Sequence, residues 1–340
     1  MPQMYKVLFF LTMVSGTLIS ISSNSWLGMW VGLEVNLLSI IPLMSNSSNI
    51  YSSEASLKYF ITQALASSLV MFSVIMMSID SGMPFNIYQE NPFLLVLNSS
   101  LLTKMGAAPF HFWLPEVIEG LNWNNSIIML TWQKIAPMVI MMYTSTTAHL
   151  IIVSILFCMA VSGLMGLNQT SLRKIMAYSS INHMGWMLAS ILFMETIWIH
   201  YFIIYTIITL NITLMFKKFN IFRINQMQSM MLMSPVTKLI YSMNFLSLGG
   251  LPPFLGFLPK WMVAQMMVEQ LMVIVAAMMV VMTIMTIYFY MRMILSFPAM
   301  VSSKTLGPFK AKNTHMLFLI SSNIFALMGL ILCTFVFNWL

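Results

Sequence analysis

Of the chain's 340 residues, 59% are hydrophobic and only 7% are charged, with a formal net charge of +7. A soluble domain covers its surface with about 25% charged residues, so this composition excludes a water-facing globule. Most of the surface must face lipid, and the excess of cations needs an explanation other than solubility.

A segment crossing about 30 Å of hydrocarbon needs about 20 apolar residues. In chain order such segments fall at 4–22, 25–45, 57–79, 92–119, 123–143, 148–167, 174–194, 197–216, 236–270, 271–296 and 316–338. That predicts an all-α, polytopic membrane protein with about 11 transmembrane helices. The spans must be helices because lipid-exposed backbone has to satisfy its own hydrogen bonds, and a barrel would show short alternating strands. Connections are short, so residues 1–340 read as a single membrane domain without a soluble partner domain. The first stretch superficially fits a signal peptide. Its apolar run from Val7 to Ile21 nevertheless resumes after a four-residue polar break, which makes it the first span.

Threading eleven spans alternately sorts the loops into two sides. The amino-terminal side collects Lys6, Lys58, Arg173, Lys174, Lys217, Lys218, Arg223, Arg292, Lys304, Lys310 and Lys312. The opposite side carries Asp80, Glu90, Glu195 and Glu269 and no lysine or arginine. The positive-inside rule places the cationic side in the cytoplasm or mitochondrial matrix. The net charge is thus a topology signal, and nucleic-acid binding is the weaker explanation.

Two spans are longer than a bilayer requires and are cut by Gly/Pro clusters. Residues 92–119 contain Lys104-Met-Gly106-Ala-Ala-Pro109-Phe-His111, and residues 236–270 contain Gly249-Gly250-Leu-Pro252-Pro253-Phe. Proline removes a backbone donor and glycine frees the chain to unwind. Such discontinuous helices survive in a membrane only against protein or a wet cavity. Matched breaks in two halves, five spans apart, point to inverted-topology repeats and to an ion path.

Four ionisable residues lie near mid-span: Glu34, Lys104, Lys134 and Lys260. An ion at the bilayer centre costs about 2.5–3.5 kcal/mol, so these groups must pair, hydrate or shed charge. One structural pair with Glu34 would leave two lysines without a carboxylate at that depth. Burial weakens an amine's hold on its proton, and a neighbouring carboxylate restores it. A row of amines with one acid therefore suits a relay. At an effective dielectric of about 20, charges about 7 Å apart still interact by roughly 2.4 kcal/mol, enough to move a proton between coupled sites.

His111 follows the first break and His183 sits mid-span, and both are candidates for the same relay; His149, His200 and His315 lie near span ends. Cys158 and Cys333 stand in apolar runs without ligand spacing, so no zinc, haem or iron–sulfur site is expected. The 39 methionines exceed what packing needs and suggest a reassigned code of the animal mitochondrial kind.

Lys104-Met-Gly-Ala-Ala-Pro-Phe-His-Phe-Trp-Leu-Pro-Glu116, Trp132-Gln-Lys-Ile-Ala-Pro137 and Gly249-Gly-Leu-Pro-Pro-Phe-Leu-Gly-Phe-Leu-Pro-Lys-Trp261 resemble the proton-pumping antiporter-like subunits of respiratory complex I. The resemblance covers essentially the whole chain, and its length and methionine content are like those of insect mitochondrial members. It implies that Glu34 and Lys104 form a switchable pair, that Lys134 connects, and that Lys260 faces the exit. It also implies no cofactor on this chain: NADH, FMN, iron–sulfur clusters and ubiquinone belong to other subunits of the enzyme. Expected partners are the antiporter-like subunit 4, the small subunit 4L, accessory subunits and phospholipids. The expected site is the mitochondrial inner membrane, with the amino terminus in the matrix and the carboxyl terminus in the intermembrane space. Longer bacterial members carry extra amino-terminal helices that this chain is expected to lack. Multi-subunit sodium/proton antiporters share the motifs and form the alternative reading. A third reading is a scaffold whose buried charges only fix helix register.

Overall fold

The computed structural model describes residues 4–46, 49–81, 92–144, 147–227, 235–252 and 254–295. The expected span 316–338, together with Glu90, Lys304, Lys310, Lys312, His315 and Cys333, lies outside the described residues. The chain falls into two compact units, Met1–Cys158 and Met159–Leu340.

The first unit holds α1 (Met4–Ser22), α2 (Trp26–Met44), α3 (Ile50–Ser81), α4 (Pro92–Met105), α5 (Trp113–Gly120), α6 (Trp123–Leu130) and α7 (Ile135–Met142). Next comes α8 (Ala148–Leu167), which straddles the boundary. The second unit continues with α9 (Leu172–Ile191), α10 (Glu195–Phe219), α11 (Pro235–Gly249), α12 (Phe257–Glu269) and α13 (Val273–Leu295). Among the described residues the only strand-like pairing is an isolated bridge between Ser171 and Arg223.

Many large apolar side chains are exposed while many polar ones are buried beside the apolar core, unlike a soluble protein. Leu8, Leu11, Ile274 and Ile284 are exposed, whereas Asn36, Gln63, Asn98 and Asn244 are buried. Buried hydroxyls bond within their own helix, as Ser73 does to the Val70 carbonyl at 2.7 Å and Ser100 to the Leu97 carbonyl at 2.6 Å. Helices also approach closely through small residues, the usual device where no hydrophobic force drives association. A Cβ on Gly32 of α2 would stand 2.5 Å from the Ser20 backbone nitrogen of α1.

Among the described residues, six helices are individually long and apolar enough to cross a membrane: α1, α2, α3, α8, α10 and α13. Helix α9 is too polar for that class, with Ser179, Ser180, Asn182 and His183 at its centre. It is instead wrapped by protein, 18 of its 20 residues being buried.

The two predicted breaks separate α4 from α5 and α11 from α12. Both upstream halves end in the same cap. Gly106 and Gly250 adopt φ of 74° and 76°, a left-handed conformation that penalises any Cβ. In the first, Gly106 N–H bonds the Thr103 carbonyl and Ala107 N–H the Leu102 carbonyl; in the second, Gly250 N–H bonds Ser247 and Leu251 N–H bonds Leu246. Each is a Schellman motif, which satisfies two of a helix's orphan carbonyls. Aligning Gly106 with Gly250 also matches Pro109 with Pro253, Phe110 with Phe254, Leu114 with Leu258 and Pro115 with Pro259.

A third interruption corrects the sequence reading, which expected only two. Segment 123–143 is not one helix: α6 ends at Leu130, and a 3₁₀ turn, Trp132–Lys134, precedes α7. Pro137 has no N–H to give the Gln133 carbonyl, and its ring crowds that carbonyl. The chain tightens there instead of continuing.

Within each unit, loops assigned to the cationic side share one end. In the first, Lys58 near the start of α3 bonds Glu116 of α5 at 2.9 Å, and Asn125 donates to the Leu43 carbonyl at the end of α2. In the second, Leu172 N–H bonds the Phe222 carbonyl and Ile224 N–H the Thr170 carbonyl. Arg292 of α13 reaches the Leu167 and Gln169 carbonyls at 2.6 and 2.7 Å.

Candidate functional site: buried amines at helix interruptions

Every lysine singled out by depth is attached to an irregularity in the backbone. Lys104 occupies the last turn of α4, Lys134 closes the 3₁₀ turn, and Lys260 opens α12. Their residual exposures are 7%, 1% and 7%. The carbonyl end of a helix carries partial negative charge, which favours a cation by up to about 2 kcal/mol when partly buried. Lys104 benefits directly, and Lys260 folds back so that its Nζ donates to the Gly249 carbonyl of α11 at 2.7 Å. The same amine lies 6.0 Å from the centre of the Trp186 ring. Gly250 makes this fold-back possible: a Cβ there would meet Lys260 Cδ at 2.7 Å.

Glu34 sits at mid-length on α2 and is half-buried. It acts on the Lys104 amine through space, yet among the described residues the two make no direct ion pair. The direct pairs there are exposed ones, Lys58 with Glu54 at 3.1 Å and with Glu116 at 2.9 Å. Beside Lys104 a cavity of about 10 Å³ is lined by Asn36, Tyr59, Gln63, Lys104 and Gln133, with Leu33, Leu37 and Pro137. A volume of about 10–15 Å³ is what one water requires, given polar partners.

The break beside Lys104 distributes its freed backbone groups among side chains. Trp113 Nε1 donates to the Thr103 carbonyl at 2.9 Å, Gln63 Nε2 to the Lys104 carbonyl at 3.4 Å, and Ala108 N–H to Cys158 Sγ at 3.2 Å. Cys158 is buried and outside any disulfide, as its apolar setting suggested, and its sulfur lies 3.9 Å from the Ala108 carbonyl. Sequence reasoning gave it no such contact.

His111 is buried within the first break, its Nδ1 3.3 Å from the Pro109 carbonyl and its ring tilted on Phe112. His183 on α9 places Nδ1 2.9 Å from the Tyr201 hydroxyl of α10, with the Tyr205 ring 5.0 Å away. Thus Glu34, Lys104 and Lys134 belong to the first unit, and His183 and Lys260 to the second. The neutral polar residues around Lys104 had no charge to mark them in the sequence. No cluster of three or more His, Cys, Asp or Glu able to hold a metal occurs among the described residues.

The chain is similar to several known proteins. Relatives named NADH-ubiquinone oxidoreductase chain 2 include that of Anopheles gambiae, 48% identical over 294 residues covering 86% of each chain, and that of Aedes aegypti, 45% identical over 340 residues and 99% of each. The fold matches a chain of respiratory complex I from Thermus thermophilus with a TM-score of 0.85, at 23% identity over 96% of this chain and 78% of that one. It also matches a chain of the Mrp complex from a Dietzia species with a TM-score of 0.78, at 15% identity over 96% and 75%. The family model described as NADH:quinone oxidoreductase/Mrp antiporter, transmembrane, matches residues 23–286. With buried amines at helix breaks, and kinship of this extent, the chain belongs to the NADH:quinone oxidoreductase/Mrp antiporter membrane family.

Proposed function

We propose that this chain is a proton-translocating, antiporter-like membrane-arm subunit of respiratory complex I. The observation that carries this reading is the seating of Lys104, Lys134 and Lys260 at three interruptions of buried helices. An amine held out of water beside a helix break can take a proton from one neighbour and give it to the next. Glu34, set apart from Lys104, acts as the charge that biases that exchange. Lys134 passes the proton on and Lys260 serves the exit, with His111 and His183 as further members of the path. The shared caps at Gly106 and Gly250 support inverted-topology repeats within about 11 spans.

Electron transfer, with its NADH, FMN, iron–sulfur clusters and ubiquinone, takes place on other subunits, so this chain contributes the membrane half of the enzyme's work. Subunits 4 and 4L, accessory subunits and phospholipids are its neighbours. Its setting is the mitochondrial inner membrane, amino terminus in the matrix and carboxyl terminus in the intermembrane space. The family model spans both oxidoreductase and Mrp antiporter members, but the Mrp chain is only 15% identical, against 45–48% for the oxidoreductase relatives.

The test uses the assembled complex in membrane vesicles. Glu34→Gln and Lys104→Ala should each remove this subunit's share of pumping while assembly is retained, because a positioned proton-transfer group contributes about 10²–10⁴-fold. An unchanged proton-per-electron ratio in both variants refutes the relay.

A further inference from the structure

Beside the lysines, a pair of neutral residues is arranged with more care than packing needs. Asn36 of α2 and Gln133 of the 3₁₀ turn face each other through both edges of their carboxamides. Asn36 Nδ2 donates to Gln133 Oε1 at 3.1 Å, and Gln133 Nε2 donates to Asn36 Oδ1 at 2.8 Å. Asn36 is 3% exposed. Gln133 Oε1 also accepts from the Tyr59 hydroxyl of α3 at 3.4 Å. A tyrosine hydroxyl has one proton to give; with that proton turned to Gln133, its lone pairs are what remains for the cavity. Gln63 spends an amide N–H on the Lys104 carbonyl, which leaves its oxygen as acceptor. Both residues line the cavity that Lys104 also lines. Among the described residues the Lys104 amine has no direct hydrogen-bond partner, although an ammonium has three protons to place.

The backbone supplies an independent reason. Pro137 withholds the N–H that the Gln133 carbonyl would take in a continuous helix, and the turn carrying Lys134 tightens to a 3₁₀ turn at that point. A 3₁₀ stretch within a helix has weaker hydrogen bonds and marks a hinge. The amide pair ties this hinge to α2, the helix that carries Glu34.

We propose that the Asn36–Gln133 carboxamide pair is a positioning element for proton transfer at Lys104 and Lys134. It fixes the hinge under Lys134 and orients Tyr59 so that the cavity wall presents acceptors to the Lys104 amine. The proposal rests on the relay reading above and assigns these neutral residues no proton of their own.

The experiment compares four variants of the assembled complex in vesicles: Asn36→Leu, Gln133→Leu, Tyr59→Phe and the swap Asn36→Gln with Gln133→Asn, beside Lys104→Ala. NADH-driven electron flow, proton-per-electron ratio and amount of complex are measured for each. Each leucine variant should lose about nine-tenths of this subunit's share of pumping, the scale of one buried hydrogen bond left unmade. Tyr59→Phe should lose less, and the swap should recover most of the ratio. Leucine variants that are merely scarce, with a normal ratio per assembled complex, overturn the proposal while Lys104→Ala keeps the relay. A normal ratio in Lys104→Ala overturns both. Should the leucine variants fail to assemble, Tyr59→Phe decides: an unchanged ratio overturns the proposal, and a partial loss upholds it.

Discussion

Replacing Gly250 by alanine separates two effects that the paired breaks make comparable. At φ of 76° a Cβ costs about 1–2 kcal/mol. The added methyl would also stand 2.7 Å from Lys260 Cδ and 3.0 Å from Cε and Nζ. Those atoms end a flexible side chain, so the lysine gives way rather than the backbone, and the bond from its amine to the Gly249 carbonyl is lost. A hydrogen bond from a charged donor is worth about 1.5–3 kcal/mol, so the whole perturbation amounts to about 2.5–5 kcal/mol. Gly106→Ala is the control. Its φ of 74° imposes the same backbone strain, but the atoms nearest its Cβ would be Leu114 and Trp113 carbons at 3.1–3.3 Å. Both variants should lower the amount of assembled complex, and only Gly250→Ala should lower the proton-per-electron ratio of what assembles. The measurements are quantitative native electrophoresis and proton uptake by NADH-energised vesicles. A normal ratio in Gly250→Ala, or an equal fall in both variants, refutes the assignment of Lys260 to the carbonyl end of α11.

Two further expectations concern the ends of helices. Arg292→Ala removes two charge-assisted bonds to the Leu167 and Gln169 carbonyls, each worth about 1.5–3 kcal/mol, and should hasten thermal inactivation of the complex. Arg292→Lys should recover only part of this, since a lysine amine is a point charge on a flexible stem and lacks the rigid planar fork that spans both carbonyls; full recovery would show that charge alone matters. Lys58→Met breaks exposed pairs with Glu54 and Glu116, which solvent screens. Assembly and pumping should stay within error of the native complex, and a loss of pumping would make this end of α5 part of the path.

Residues whose environment is set by the bilayer could be recognised from the sequence. Lys104, Lys134 and Lys260 stood out because a charge in a hydrophobic run is expensive wherever the chain folds, and all three are buried. The breaks near Gly106 and Gly250 were equally legible, because glycine and proline act on their own backbone. The interruption at Trp132–Lys134 was missed although Pro137 signalled it, because one proline near the end of a span is often tolerated by neighbours. Asn36, Tyr59, Gln63 and Gln133 carry no charge, so hydropathy passes over them, and only packing brings their three segments to one cavity. Tyr201 likewise becomes the partner of His183 through the docking of α10 on α9.

Composition and the placement of charge along the chain determined that this protein suits lipid, forms helices, breaks at two Gly/Pro clusters and keeps three amines buried. Those properties belong to each segment alone, because lipid offers no partner to unpaired backbone or charge. The tertiary structure decided which carbonyl receives Lys260, that Glu34 stays out of direct contact with Lys104, and that an amide pair faces the cavity. Each depends on the few ångströms between neighbouring helices, a distance that no single segment encodes.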